Sequence, residues 1–189
     1  SRGPKRGPWV ARHSHTPTSL DHPDCTDHLT DDALHAMIRA MPLKITDALL
    51  AEHVVFHNLF DHLERTLPHL KSLAEVRALA GVMEALVQAH GQVEDELILA
   101  PLDHCIAQLG QQEPFHEEHE EIGESLRQAL KASTLREARR CLQKAVLESR
   151  SHFDKEERIL FPMAEKLLKT KTLATLAETW KKQRKAITG

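Results

Sequence analysis

Apolar residues recur along much of the chain at alternating steps of three and four, the spacing of one face of an α-helix. The pattern holds over four long stretches, 46–67, 72–101, 114–132 and 134–161. No stretch alternates with the period of two that is typical of a β-strand. We therefore predict an all-α fold in which the four long helices form an antiparallel up-down-up-down bundle.

The segments on either side of the bundle have a different composition. Residues 1–27 carry four prolines among Ser, Thr, Arg and His, which predicts an irregular N-terminal arm. A short helix is predicted over 31–41, and an amphipathic tail helix over 173–187. The predicted organisation is an arm (1–27), a bundle (28–168) and a tail-helix segment (169–189).

Polar side chains interrupt the apolar face of each long helix near its middle. They are His53, His90, Glu94, His119, His152 and Glu156. Burying an ionised carboxylate costs several kcal/mol unless it is paired or binds a metal. Because mid-length positions of an antiparallel bundle lie in one cross-section, we expect the six side chains to meet in the core.

Four of these residues form two copies of one motif, H-x-x-x-E. His90 and Glu94 form the first copy and His152 and Glu156 the second, and a proline follows each histidine by about ten residues. One copy alone is equally consistent with a histidine–glutamate pair satisfied within the core, but two copies favour a shared metal site. We expect the prolines to end both helices, and the apolar faces to pass through Leu86 and Ile159.

Six mixed imidazole and carboxylate donors exceed the four ligands that one zinc ion usually takes. They suit two octahedral first-row ions, iron first, with manganese or zinc as alternatives. Two such ions offer about twelve coordination positions. Four imidazoles, two bridging carboxylates (Glu94 and Glu156) and an oxo or hydroxo bridge leave about two positions for water, dioxygen, peroxide or nitric oxide.

Composition narrows the other classes of function. The net charge of −3 does not favour binding to nucleic acid or to an anionic membrane surface. No apolar run is long enough to cross a bilayer, and the basic N-terminal stretch lacks the apolar core of a signal peptide. Three cysteines without a C-x-x-C pair favour a reducing compartment, so we expect a cytoplasmic protein.

The order H … H-x-x-x-E … H … H-x-x-x-E, with acidic, hydrophobic and proline endings, resembles the hemerythrin-like family (HHE cation-binding domain) over about residues 46–165. The resemblance implies a four-helix bundle that holds a non-haem di-iron centre, with the six polar residues at the family's ligand positions. The third helix departs from the oxygen-carrying members, which have H-x-x-x-H there. The position four before His119 is Phe115, and the position four after it is Gly123.

Two further histidines are candidates for a fifth imidazole ligand. His57 lies one helical turn from His53, and His116 lies one residue from the missing position. The alternative is that each supports the ligands from outside or is solvated.

From the resemblance and the open coordination positions, we predict a protein that binds or reduces a small diatomic or peroxide ligand in oxygen or redox sensing or in a stress response. Whether it is an enzyme, and which protein partner it has, is not predicted. The alternative function is a metal-responsive interaction module, or an iron store, whose bundle is held together by the bound metal.

Overall fold

The computed structural model describes residues 41–103 and 112–188, and all regular structure in these ranges is helical. The predicted arm (1–27), the predicted helix (31–41) except its last residue, and most of the loop predicted at 101–113 lie outside the described residues. Within the described ranges, no helix combines the length and apolar character needed to cross a bilayer.

Six α-helices follow one another along the described chain. They are α1 (Ile45–Thr66), α2 (Leu73–Glu94), α3 (Gln112–Lys131), α4 (Leu135–Lys155), α5 (Phe161–Leu167) and α6 (Thr170–Thr188). A 3₁₀ turn, Leu67–His69, ends α1 at the predicted proline. The four long helices lie within a few residues of their predicted positions, and α6 begins three residues earlier than predicted.

The two predicted capping boxes differ in detail. At α2, the Glu75 amide donates to Ser72 Oγ at 3.2 Å and the Ser72 amide donates to Glu75 Oε2 at 2.8 Å, so the box is complete. At α4, the Glu137 amide donates to Thr134 Oγ1 at 3.2 Å, but the Glu137 carboxylate accepts from the amide of Ser133. Both caps satisfy amides that the first helical turn leaves without partners.

A π-helical turn lies at the end of each H-x-x-x-E motif. The turns are Asp95–Leu99 after Glu94 and Glu156–Leu160 at Glu156. The expectation that proline ends both helices is wrong, because helix continues over 100–103 and over Phe161–Leu167. Pro101 and Pro162 each stand in the first turn after a π-helical turn, where a missing amide proton and a fixed φ are tolerated.

Each π-helical turn adds a residue to the helix and thereby changes which side chains face the core. Ile159, expected on the apolar face, is 44% exposed, and Leu160 is fully buried in its place. Leu86, which precedes the first π-helical turn, is also exposed rather than buried. Val87 takes the core position one turn after Met83 instead. The apolar pattern therefore identified the helices correctly but misplaced the face at these two positions.

Two hydrophobic clusters fill the core. The larger cluster combines residues of α1–α4, including Phe56, Phe60, Val87, Ile122 and Phe153. The smaller cluster contains residues of α1, α2, α3, α5, α6 and both π-helical turns. Its members include Leu49, Val93, Phe115, Leu160 and Leu173. Along each long helix the polar residues predicted from the sequence stand at the change from one cluster to the other.

Candidate metal centre

The structure brings all six sequence-predicted polar residues into one cluster. Five of them, His53, His90, Glu94, His152 and Glu156, are at most 1% exposed. His119 is the exception, because 16% of its side chain is exposed. The helix spacing explains part of the convergence, since each histidine occupies a core-facing position and each glutamate follows a histidine by one helical turn. His90 and Glu94 lie at the end of α2, and His152 and Glu156 lie where α4 passes into its π-helical turn.

The first group of donors joins α1, α2 and the second π-helical turn. His53 Nε2 lies 3.1 Å from His90 Nε2 and 3.3 Å from Glu156 Oε2. One donor atom from each of these residues lies within 4.8 Å of the others, which is close enough for all three to ligate one ion.

The second group contains Glu94, His119, His152 and Glu156. His152 Nε2 lies 2.5 Å from Glu156 Oε1, and His119 Nε2 lies 3.5 Å from Glu94 Oε2. Glu156 belongs to both groups, with Oε2 near His53 and Oε1 near His152. The geometry is that of two neighbouring ligand sets that share one carboxylate.

Several of these donor atoms are buried without a well-formed hydrogen bond. They are both carboxylate oxygens of Glu94 and of Glu156, both ring nitrogens of His119, and Nε2 of His152. Buried polar atoms without partners are rare in folded proteins, and each costs free energy. Their convergence fits a cation, which all these lone pairs could ligate together.

Each of the four histidines also has a carboxylate beside its other ring nitrogen, Nδ1. The Nδ1-to-oxygen distances are 2.9 Å for His53–Glu157, 2.8 Å for His90–Glu52, 3.4 Å for His119–Asp95 and 2.9 Å for His152–Glu118. A carboxylate at Nδ1 fixes the ring orientation and leaves Nε2 as the atom available to a metal.

These four carboxylates form a closed sequence of contacts around the helices. Glu52 of α1 contacts α2, Asp95 after α2 contacts α3, Glu118 of α3 contacts α4, and Glu157 after α4 contacts α1. None of these four carboxylates was predicted from the sequence. A signal was present, because each acid is the immediate sequence neighbour of a predicted ligand on its own helix.

Aromatic rings surround the first group of donors. The Phe153 ring stacks on His53 with a centroid distance of 4.0 Å and an interplanar angle of 1°. Phe56 approaches His90 at 5.2 Å, and Phe161 approaches His53 at 5.3 Å. This apolar shell excludes water from the Nε2 atoms of His53 and His90.

The two central carboxyl groups ionise at different pH values. Burial raises the pKa of Glu156 well above its ordinary value, and the neighbouring Glu94 carboxylate raises it further. Burial also opposes ionisation of Glu94, but the contact with His119 and the nearby imidazoles hold the pKa of Glu94 below its ordinary value. A cation that binds both carboxylates must therefore compete with a proton more strongly at Glu156 than at Glu94.

The pKa values of His53 and His119 are also shifted in opposite directions. Burial and the adjacent His90 lower the pKa of His53 to about 4. Burial acts in the same direction on His119, but its contacts with Asp95 and Glu94 outweigh burial and raise the pKa of His119 to about 9. His53 is therefore neutral and ready to ligate near neutral pH, whereas His119 must lose a proton first.

The two candidate extra ligands lie outside both buried groups. His57 is 39% exposed, with Nε2 3.5 Å from Glu157 Oε1. His116 is 50% exposed, with Nδ1 3.3 Å from Asp95 Oδ1, and it forms a third, more exposed group with Asp95 and His119. Phe115, four residues before His119, is buried.

Two cavities lie beside the cluster, one on each side. A cavity of about 340 Å³ between α2 and α3 is lined by His119, Asp95 and Gly91 among others. A cavity of about 330 Å³ is lined mainly by apolar side chains of α1 and α2, together with His90 and Arg184. The first cavity borders His119, which is partly exposed, whereas the second borders His90, which is only 1% exposed.

Comparison with known proteins supports this interpretation of the donor cluster. Searches of curated proteins and of solved structures gave no significant match. The hemerythrin HHE cation-binding domain matches residues 44–164, which contain all six predicted ligands and both π-helical turns. With histidine and glutamate groups positioned to ligate metal, the chain belongs to the hemerythrin HHE cation-binding domain family.

Proposed function

We propose that this protein holds two non-haem iron ions and uses them to bind or reduce a small ligand, such as dioxygen, peroxide or nitric oxide, in oxygen or redox sensing or a stress response. The observation that carries the proposal is the pair of donor groups that share Glu156. A structural site for a single ion needs about four ligands and no second group.

The residues divide between the ions as the two groups do. His53 and His90 ligate one ion, and His119 and His152 ligate the other. Glu156 bridges them, and Glu94, which lies beside His119, is the second proposed bridge, together with an oxo or hydroxo group. Bound iron supplies redox chemistry and coordination positions for the small ligand.

The antiparallel up-down-up-down topology belongs to the same proposal. Along α1 and α3 the chain runs from the smaller hydrophobic cluster to the larger one, as from Leu49 to Phe56 on α1. Along α2 and α4 it runs from the larger cluster to the smaller, as from Val87 to Val93 on α2. This alternation supports a bundle in which successive helices reverse direction.

Metal analysis tests the proposal directly. Protein purified without oxygen from iron-supplied cells should contain about two irons per chain, as expected for two ligand sets. The di-ferric form should absorb in the near ultraviolet, and azide should add a charge-transfer band. One iron or less per chain, with zinc saturating the site, would contradict the proposal.

Exposure to air tests the function of the site. Because Phe115 and Gly123 stand four residues before and after His119, the third helix lacks the second histidine of the oxygen-carrying members, and more than one coordination position is predicted to remain open. We expect the di-ferrous protein to oxidise within minutes and not to return to the ferrous state when oxygen is removed. Repeated oxygenation and deoxygenation with full recovery would instead indicate reversible oxygen carriage, with His57 or His116 as a further ligand.

A further inference from the structure

Helix α6 lies beyond the matched family domain but contacts a carboxylate of the metal centre. Trp180 Nε1 donates to Glu52 Oε1 at 3.0 Å. Arg184 Nε donates to Glu52 Oε1 at 2.6 Å, and Arg184 Nη2 donates to Glu52 Oε2 at 2.8 Å. The guanidinium therefore holds both oxygens of the carboxylate in the forked geometry that only arginine offers.

The same carboxylate contacts a predicted ligand. Glu52 Oε2 lies 2.8 Å from Nδ1 of His90, so one side chain connects α6 to the imidazole. Arg184 Nη1 also donates to the carbonyl oxygen of Ala89, the residue before His90, at 3.0 Å. Arg184 thus contacts both the backbone that leads into His90 and the carboxylate that orients its ring.

Glu52 differs from the other three carboxylates at the histidine Nδ1 atoms. Glu118 is paired with Lys155, which belongs to α4 and therefore to the matched domain. Asp95 and Glu157 are 40% and 34% exposed, and both contact histidine side chains. Glu52 is 20% exposed, and both of its oxygens accept from Arg184, which lies outside the matched domain.

Hydrophobic burial brings α6 to this position. Leu173 and Ala177 are buried in the smaller cluster, and Trp180 packs at its margin. Beyond Trp180, Gln183 Nε2 donates to Glu96 in the first π-helical turn at 2.8 Å. The first half of α6 therefore anchors the helix, and the second half carries its contacts to the metal centre.

We infer that Trp180 and Arg184 are positioning residues of the metal centre, which hold Glu52 and through it His90, so that docking of α6 and metal occupancy stabilise each other. The inference rests on the metal site of the proposed function but not on iron or on any particular small ligand. Coupling of this kind is reciprocal, because the same free energy links the two events in either direction.

Metal affinity in variants of the full chain tests the first direction. The probe is Co²⁺ alone, titrated into metal-free protein in competition with a chelator and followed by its visible spectrum. Arg184→Ala should weaken binding by about 10- to 100-fold, the usual effect of removing a group that orients a metal ligand. Lys181→Ala is the matched control, since Lys181 lies on the same helix and contacts Glu178 instead.

Two further variants separate positioning from simple loss of structure. Trp180→Phe keeps an aromatic ring at the margin of the cluster and removes one N–H donor, so it should fold normally and weaken Co²⁺ binding by a smaller factor. In the Glu52→Gln background, Arg184→Ala should have a smaller effect than it has alone, because both substitutions disrupt the Glu52–Arg184 contact and only the contact with the Ala89 carbonyl remains to be lost. Fully additive effects would overturn the inference.

Hydrogen exchange tests the second direction. Co²⁺ should slow amide exchange in α6 of the unsubstituted protein, and this slowing should shrink in Arg184→Ala and persist in Lys181→Ala. If the unsubstituted protein binds no metal, the proposed function fails. If it binds two ions and Arg184→Ala matches it in both affinity and α6 exchange, only the present inference is overturned.

Discussion

The two histidine pairs of the metal centre lie in different surroundings. His53 and His90 are 1% exposed, lie among phenylalanine rings, and are flanked by the contacts of α6. His152 is equally buried, but its neighbour His119 is 16% exposed and lines a cavity with polar walls. Glu156 stands between the pairs and contacts both.

We expect the two sides to contribute differently to metal retention and to ligand access. A rigid, dry environment holds imidazoles in a fixed geometry and slows the exchange of a bound ion. A partly exposed side chain beside a cavity would give an incoming small molecule access to the second proposed ion. We expect the His53–His90 side to contribute mainly to retention of metal and the His119–His152 side to contribute mainly to encounter with ligands.

The largest expected effect removes the residue that joins the two sides. Glu156→Ala should lose both ions together, because each donor group includes this carboxylate. Glu94→Ala is predicted to do the same as the second bridge. Metal analysis after anaerobic reconstitution measures both, with Glu148→Ala as a control on the same helix. Full retention of metal in either variant would refute its bridging role.

The next prediction compares the packing of the two sides without metal. His53→Ala removes a fully buried ring stacked on Phe153, so it should lower the free energy of unfolding by about 2–4 kcal/mol. His119→Ala removes a ring that is partly exposed, so its packing loss should be smaller. Near neutral pH it also removes the charged imidazole beside Glu94 and Asp95, which stabilises the fold at pH values below the raised pKa of His119, about 9. The two packing losses are therefore compared above that pH, where the His119 ring is neutral. Urea unfolding of the metal-free proteins measures both, and equal losses would mean that the two sides are packed alike.

A smaller effect concerns access along the His119 side. A Cβ added at Gly91 would lie 3.5–3.6 Å from atoms of the His119 ring, an ordinary contact that narrows the cavity. Gly91→Ala should therefore slow azide association a few-fold while metal content stays unchanged. Gly81→Ala is the control, since its Cβ would meet only Leu130 at 3.9 Å. Unchanged azide kinetics in Gly91→Ala would show that ligands do not approach past this residue.

The smallest expected effect tests the extra-ligand alternative. His57 is 39% exposed and contacts Glu157 rather than the buried donors, so His57→Ala should leave metal content near that of the unsubstituted protein. A clear loss of iron in this variant, measured beside His62→Ala on the same helix, would show that His57 ligates metal after all.

Much of this protein follows from the spacing of residues along the chain. Apolar residues at steps of three and four located the long helices, and the same spacing singled out the six polar residues. A helix repeats every 3.6 residues, so the pattern of apolar residues in the sequence indicates its core face. The resemblance to the hemerythrin-like family, read from the same six positions, is confirmed by the match over residues 44–164. The assignment of each residue as an iron ligand stays a prediction.

Other features depend on contacts that local spacing does not encode. The π-helical turns carried no signal in the apolar pattern, and they made the predictions at Ile159 and at both prolines wrong. The carboxylates beside the histidine Nδ1 atoms look like ordinary surface acids in sequence, because each contacts a different helix from its own. Arg184 lies 132 residues from Glu52, and only the packing of α6 brings the two together. Sequence determined most of the residues that face the core, with Leu86 and Ile159 as exceptions. Tertiary structure decided which of these residues meet, since a side-chain contact between helices depends on how their faces pack.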